Sequence, residues 1–172
     1  MQKREEQIKN QFLEAYNAHI DAIFRYCFFR LGDREKALDL SQDTFMKTWS
    51  YMRRDATILN IKAFLYKTAS NLVIDEYRRR KPNDSLETMH EETGFEPSLD
   101  LTSSLIDRID GAEAINLINK IPEPYSGAVF MRFVEELSLS EIAEITGQTE
   151  NTVAVQVHRG IAKLKELWNH DE

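Results

Sequence analysis

From Pro82 to Ser98 the chain holds little that a core can bury. Two prolines, one glycine and three acids within 87–92 interrupt a few isolated apolar residues. That is linker chemistry, so the residues on either side must build separate cores. Charge divides the chain at the same place. Residues 1–81 carry 16 Lys/Arg against 11 Asp/Glu, residues 82–118 carry one Arg against nine acids, and residues 119–172 carry five against nine. The formal net charge of -7 would by itself discourage nucleic-acid binding, yet it conceals a basic N-terminal half. The expected organisation is a helical module over 1–81, an acidic linker over 82–112 and a second helical module over 113–172. Leu99, Leu101, Leu105, Ile106 and Ile109 are spaced to anchor a short helix within the linker.

The N-terminal half reads as three amphipathic helices. Phe12, Tyr16, Ile20, Ile23, Cys27 and Leu31 form one stripe ending near Gly32, and Leu38, Phe45, Trp49 and Met52 form a second. A third starts near Asn60 and uses Phe64, Leu65, Thr68, Ala69, Leu72 and Val73. Most of these aromatics, Trp49 included, are expected in a shared core. Cys27 lies among apolar residues and reads as a small buried hydrophobe. As the only cysteine, it excludes an intrachain disulfide and any Cys-rich metal site.

Tyr77-Arg78-Arg79-Arg80-Lys81 closes the third stripe. Cations at a helix C-terminus are favoured by the helix dipole, which accounts for one or two of them. The full run, with Lys62 and Lys67 on the same helix and Arg53-Arg54 before it, also has the composition of a phosphate-contacting patch. Residues 51–60 break the helical stripe. They form either a plain connection or a loop that engages an unstacked base.

Sharper local signals lie further on. Ser138-Leu139-Ser140-Glu141 fits a capping box, Ile142, Ala143 and Ile145 supply a short apolar face, and Gly147 ends that helix. Thr149 is placed to cap a second helix with Val153, Val157, Ile161, Leu164 and Trp168 on its buried side. Two capped helices joined through a glycine turn are a helix-turn-helix pattern. If Val153 and Val157 face the core, Glu150, Asn151, Ala154, Val155, His158 and Arg159 become candidates for a groove-facing surface. Asn151 has the chemistry to pair with adenine, Arg159 to read guanine or bind phosphate, and Val155 to touch a thymine methyl.

No catalytic constellation emerges. The four histidines show neither metal-ligand spacing nor a linked nucleophile, the glycines form no phosphate loop, and Asp39 with Asp43 on one helix face is weak ground for catalysis. No enzyme activity, cofactor or metal is expected. No apolar run reaches the roughly eighteen residues needed to cross a bilayer, and Met1 to Gln7 has no apolar core behind it. A soluble cytoplasmic protein without membrane insertion is the expectation.

Asp39-Leu40-Ser41-Gln42-Asp43-Thr44-Phe45 followed by Trp49 resembles a signature of the bacterial extracytoplasmic-function (ECF) sigma factors of the sigma-70 family. Asn71-Leu72-Val73-Ile74-Asp75-Glu76-Tyr77-Arg78-Arg79 is similar to a second helix of that family, and Ile121-Pro122 through Thr152-Val153 resembles its C-terminal module. The likeness spans roughly residues 12–81 and 113–168.

That resemblance implies an all-α fold and a dissociable initiation subunit of bacterial core RNA polymerase. It implies that Asp39, Gln42, Asp43 and Lys47 dock on the polymerase. Arg53, Arg54, Asn60, Lys62, Lys67, Asn71, Asp75, Arg78 and Arg79 would serve the minus-ten element of promoter DNA, where a base is flipped. Asn151, Thr152, Val155, Gln156, His158 and Arg159 would serve the minus-thirty-five element. An anti-sigma factor is a further implied partner, and the linker would thread toward the RNA exit path.

One departure stands out. Family members often show Lys-Ser-Arg after Thr-Val, where this chain has Ala154-Val155-Gln156. Losing two cations weakens phosphate attraction. Two other readings therefore stay open from the residues: a sigma-like protein that binds polymerase or a regulator with weak duplex readout, and a stand-alone helix-turn-helix repressor.

Overall fold

The computed structural model describes residues 1–54, 57–80 and 111–170. Asp55-Ala56, Lys81 and the expected linker helix around Leu99 to Ile109 lie outside the described residues. The described residues are all helix and connection, and they fall into two compact units.

The first unit holds α1 (Gln2–Leu31), α2 (Arg34–Arg53) and α3 (Ile61–Arg80). Local chemistry sets the boundaries. Gly32 takes the left-handed conformation at φ 66° and returns its N–H to the Phe28 carbonyl at 2.8 Å, a geometry that glycine adopts without a Cβ penalty. Asp33 follows at once and caps α2 by accepting from the Lys36 N–H at 3.1 Å. Asn60 does the same for α3 through the Ala63 N–H at 3.1 Å. α1 begins nearly three turns before the expected stripe, and Tyr51 to Arg53 still belong to α2, so the break starts at Arg54.

Ile23, Tyr26 and Cys27 of α1 meet Leu40 and Phe45 of α2 and Leu65, Tyr66, Ala69 and Val73 of α3 in the core. Tyr26 and Tyr66 pack edge to face with centroids 5.7 Å apart. Burial pushes the Cys27 thiol up to about 11, so it sits protonated and inert, as a small hydrophobe should. Leu38 corrects the expected second stripe, being 49% exposed. The buried face of α2 is built instead from Ala37, Leu40, Ser41, Thr44, Phe45, Thr48 and Met52. The hydroxyls of Ser41, Thr44 and Thr48 donate to carbonyls one turn back, at 2.7, 2.7 and 2.8 Å. These back-bonds satisfy polar groups that would otherwise cost free energy in a core. Trp49 is half-buried, its ring 5.0 Å from Phe12 with the Arg53 guanidinium over it.

The second unit contains α4 (Gly111–Lys120), α5 (Tyr125–Val129) running into a π-helical turn over Phe130–Val134, then α6 (Leu139–Thr146) and α7 (Glu150–His170). The capping box forms in full: the Glu141 N–H donates to Ser138 Oγ at 3.0 Å and the Ser138 N–H to Glu141 Oε2 at 3.0 Å. Gly147 closes α6 at φ 68°, and Thr149 Oγ1 accepts from the Thr152 N–H at 3.2 Å to open α7. Val153, Val157, Ile161 and Leu164 are buried with Ile142 and Ile145 of α6, Phe130 and Leu137. Trp168 is half-buried. Gly160 lets α7 approach α5 closely, since a Cβ there would lie 2.4 Å from Val129 Cγ2 and 3.1 Å from the Tyr125 carbonyl oxygen.

Candidate polymerase and nucleic-acid interfaces

Because the buried arc of α2 is Ala37, Leu40, Ser41, Thr44, Thr48 and Met52, the opposite arc faces outward. Asp39, Gln42, Asp43 and Lys47 all lie on it and are exposed. Met46, 62% exposed, sits among them. Sequence reasoning missed it, although its position three residues after Asp43 and four after Gln42 puts it on the same face. The arc is mixed in charge, with the exposed Met46 among its polar residues.

On α3 the buried residues Ala63, Leu65, Tyr66, Ala69, Ser70, Val73 and Glu76 leave one outward line. Lys67, Asn71, Asp75 and Arg78, spaced by four, four and three residues, form that line and are exposed. Phe64, expected in the core, is half-exposed at its head. The Arg78–Asp75 pair is long at 4.0 Å and solvent-facing, so it contributes little stability and leaves the guanidinium available. Arg79 is exposed beside it. Two residues of the expected minus-ten set stand elsewhere. Lys62 lies on the far side of α3, where its charge acts on His19, and the side-chain oxygen of Asn60 is engaged in capping. Arg53 and Arg54 are exposed at the end of α2.

Between the first turns of α1 and the connection before α3 lies a cavity of about 620 Å³, with Gln7, Gln11 and His19 on one wall and Thr57, Ile58 and Leu59 on the other. Burial first, then the charge of Lys62, holds His19 below its ordinary value of 6.5.

On α7 the expected set separates. Asn151 is exposed, His158 and Arg159 are half-exposed, and Thr152 shares a hydroxyl contact of 2.9 Å with the capping Thr149. Val155 and Gln156 are corrections, being 3% and 7% exposed. Gln156 falls on the arc of Val153 and Gly160, turned toward the core of its unit. Val155 lies across the helix from Val153. Among the described residues no cluster of His, Cys, Asp or Glu could hold a metal ion, and no helix is long and apolar enough to cross a membrane.

The comparisons agree with this geometry. Sigma-70 region 2 matches residues 15–82, and Sigma-70 region 4 matches residues 112–164. The ECF RNA polymerase sigma factor SigW of Bacillus subtilis is 30% identical over 96% of this chain and 95% of its own. Among solved structures, the sigma factor RpoE of Bartonella quintana, in complex with the anti-sigma factor NepR, superposes with a TM-score of 0.68 at 22% identity, covering 97% of this chain and 99% of that one. CnrH, in complex with the cytosolic domain of CnrY, gives 0.66 at 18% identity, covering 95% and 91%.

The matches to region 2 and region 4, in order along one chain, make this an RNA polymerase sigma factor of the sigma-70 family. Within it, the chain belongs to the ECF sigma factors. It directs promoter recognition and opening and carries out no catalytic step itself.

Proposed function

We propose that the exposed arc of α2, with Asp39, Gln42, Asp43, Met46 and Lys47, binds core RNA polymerase, and that the outward line of α3 holds the non-template strand of the minus-ten element. The observation that carries this reading is the alignment of Lys67, Asn71, Asp75 and Arg78 on one exposed face of a helix whose other face is buried. Cations supply sequence-independent attraction to phosphate, and the amide and carboxylate supply hydrogen-bonding groups for unpaired bases. The connection before α3 borders the flipped base. Asn151, His158 and Arg159 form the accessible part of the minus-thirty-five surface. An anti-sigma factor is a further proposed partner, supported by the RpoE structure, which was solved with the anti-sigma factor NepR. Polymerase and chromosome share the cytoplasm, which is the proposed site of action.

Transcription in vitro with core polymerase and a genomic promoter library tests the proposal. A defined set of start sites that depends on this chain is expected. Polymerase binding without promoter-specific initiation would instead favour a sigma-like binding protein with weak duplex readout, motivated by the buried Val155 and Gln156.

A further inference from the structure

The last turn of α3 divides into residues that hold on to the fold and residues that leave it. Glu76, Tyr77 and Arg80 make contacts back to the fold, while Arg78, its side chain 70% exposed, and Arg79 project outward between them. Tyr77 reaches across to α1, where its hydroxyl donates to the Arg30 carbonyl. That carbonyl is one of the last four of its helix, which have no amide partner within it. The Arg30 guanidinium is shared by two rings, 5.8 Å from the centroid of Tyr26 and 5.9 Å from that of Tyr77. Its Nη1 donates to the Tyr26 hydroxyl at 3.0 Å, and Tyr26 is fully buried against Tyr66. Tyr77 is thus seated on a side chain that the core itself holds.

The other ties in this turn are softer. Arg80 and Glu76 bond to each other within α3, which holds the turn to itself and not to its neighbours. Their links to α2, Lys36 at 3.7 Å and Asp33 at 3.9 Å, are long and reach side chains 40% and 50% exposed, where ion pairs contribute little. Tyr77 is engaged at both its ring and its hydroxyl. Helix ends fray, so an end that must present cations at a fixed place gains from one stiff anchor. Arg78 and Arg79 follow Tyr77 directly and rotate with it, by about 100° per residue.

We infer that Tyr77 is a positioning residue for promoter binding: seated on Arg30, it fixes the end of α3 so that Arg78 and Arg79 meet DNA phosphates already aimed. The inference rests on the minus-ten reading of α3 and adds to it a residue that itself touches no DNA. Ordering two arginines beforehand removes part of the cost of ordering them on binding. The contribution is indifferent to base identity, because the groups it aims contact phosphate.

Holoenzyme assembled from core polymerase and the full chain, titrated with a fork-junction promoter across a salt series, provides the test. Tyr77→Leu should lower affinity about ten-fold, the scale of two side chains no longer ordered in advance. It should also reduce the salt slope, as Arg78→Ala with Arg79→Ala does. In the background of those two alanines the same substitution should change affinity by less than about two-fold, since nothing remains for Tyr77 to aim. Tyr77→Phe keeps the ring over Arg30 and should lose about three-fold, the scale of one hydrogen bond. Equal losses from Tyr77→Leu in the two backgrounds overturn the inference, because Tyr77 would then act without the arginines, and so does wild-type affinity of Tyr77→Leu. If Tyr77→Leu fails to assemble with core polymerase, Tyr77→Phe decides in its place: a loss confined to the chain with both arginines supports the anchor, and no loss or an equal loss in both backgrounds overturns it. Wild-type affinity and salt slope in the double-alanine chain remove the minus-ten role of the arginines together with this inference, whereas a loss there with none in either Tyr77 variant removes only the anchor.

Discussion

Arg80 Nε lies 3.1 Å from Glu76 Oε1, one turn earlier on α3, and so the third arginine of the basic run turns back into the fold. Glu76 is only 5% exposed. It also receives Lys36 of α2 at 3.7 Å, while the other arm of Arg80 reaches the α2 cap Asp33 at 3.9 Å. One turn away, the Tyr77 hydroxyl donates to the Arg30 carbonyl at the end of α1. The C-terminus of α3 is therefore tied to the α1–α2 junction, which sets the direction in which Arg78 and Arg79 project.

The three arginines should separate by experiment. Arg80→Ala leaves a buried carboxylate with Lys36 as its remaining cation and should cost about 1 kcal/mol of stability, a figure reduced because Arg80 is partly solvated. The salt dependence of promoter binding should change little. Arg78→Ala with Arg79→Ala should do the reverse, leaving the melting temperature intact and reducing the salt slope by up to about two units. Denaturant melts and binding isotherms across a salt series give both readings. The same slope change in the Arg80 variant would contradict the division.

Asp43 reversed to Lys should weaken association with core polymerase by more than about 1 kcal/mol, beyond the usual scatter of surface substitutions. Met46→Ala should weaken it independently, because an exposed apolar side chain in a charged arc gains most when an interface covers it. Holoenzyme titration with circular dichroism on each variant is the check. Unchanged affinity in folded variants would move the polymerase surface off α2.

Local chemistry was legible in the sequence, and long-range partnership was not. Gly147, Ser138 and Glu141 define their helix ends because each signal acts within four residues. The buried face of α2 was hidden because Ser41, Thr44 and Thr48 look polar, and only their bonds to carbonyls one turn back make them core residues. Leu38 looked like core for the converse reason. Lys67, Asn71, Asp75 and Arg78 follow from helical spacing, whereas the role of Arg80 depends on Asp33 and Lys36, more than forty residues away along the chain. The burial of Gln156 is not legible because an amide next to an apolar stripe gives no sign of which way it turns.

His19 should titrate below 6.5, since burial and then Lys62 both disfavour its charged form. The folded state prefers the neutral ring. The resulting stability is complete above the unfolded value and is lost as pH falls through the lower folded value. Lys62→Met removes one of the two causes and should raise the midpoint toward 6.5 without restoring it, since burial remains. Imidazole proton shifts followed by NMR report it directly, and an unmoved midpoint would mean that Lys62 does not act on this ring.

Gly160→Ala should destabilise the second unit. The new methyl group meets Val129 Cγ2 at 2.4 Å and the Tyr125 carbonyl at 3.1 Å, and Val129 is fully buried. Overpacking of this kind costs about 1–3 kcal/mol, against about 1 kcal/mol gained from replacing glycine within a helix. Val129→Ala in the same chain removes the nearer atom, so the double variant should lose less than the two single losses combined. Strict additivity in urea melts would show that α5 and α7 do not press together at this point.

The recognition helix should bind duplex weakly until polymerase tethers it. Arg159 is the only Lys or Arg between 133 and 162 and is half-buried, so few cations meet phosphate. Tethering compensates by raising the local concentration of the second unit once the first has engaged. Gln156 is too buried to accept a charge, which leaves Glu150 and Ala154 as the positions for adding one. Glu150→Lys and Ala154→Lys in the full chain should each strengthen binding to a minus-thirty-five duplex in the absence of polymerase. Each should also steepen the dependence of log affinity on log salt by up to about 0.9. Promoter choice by the holoenzyme should shift less, because the tethered helix is already held near the DNA. Fluorescence anisotropy on the duplex and start-site mapping on the promoter library measure the two effects. Tight, sequence-specific duplex binding by the unmodified chain at physiological salt would show that Asn151, His158 and Arg159 suffice for recognition without the tether.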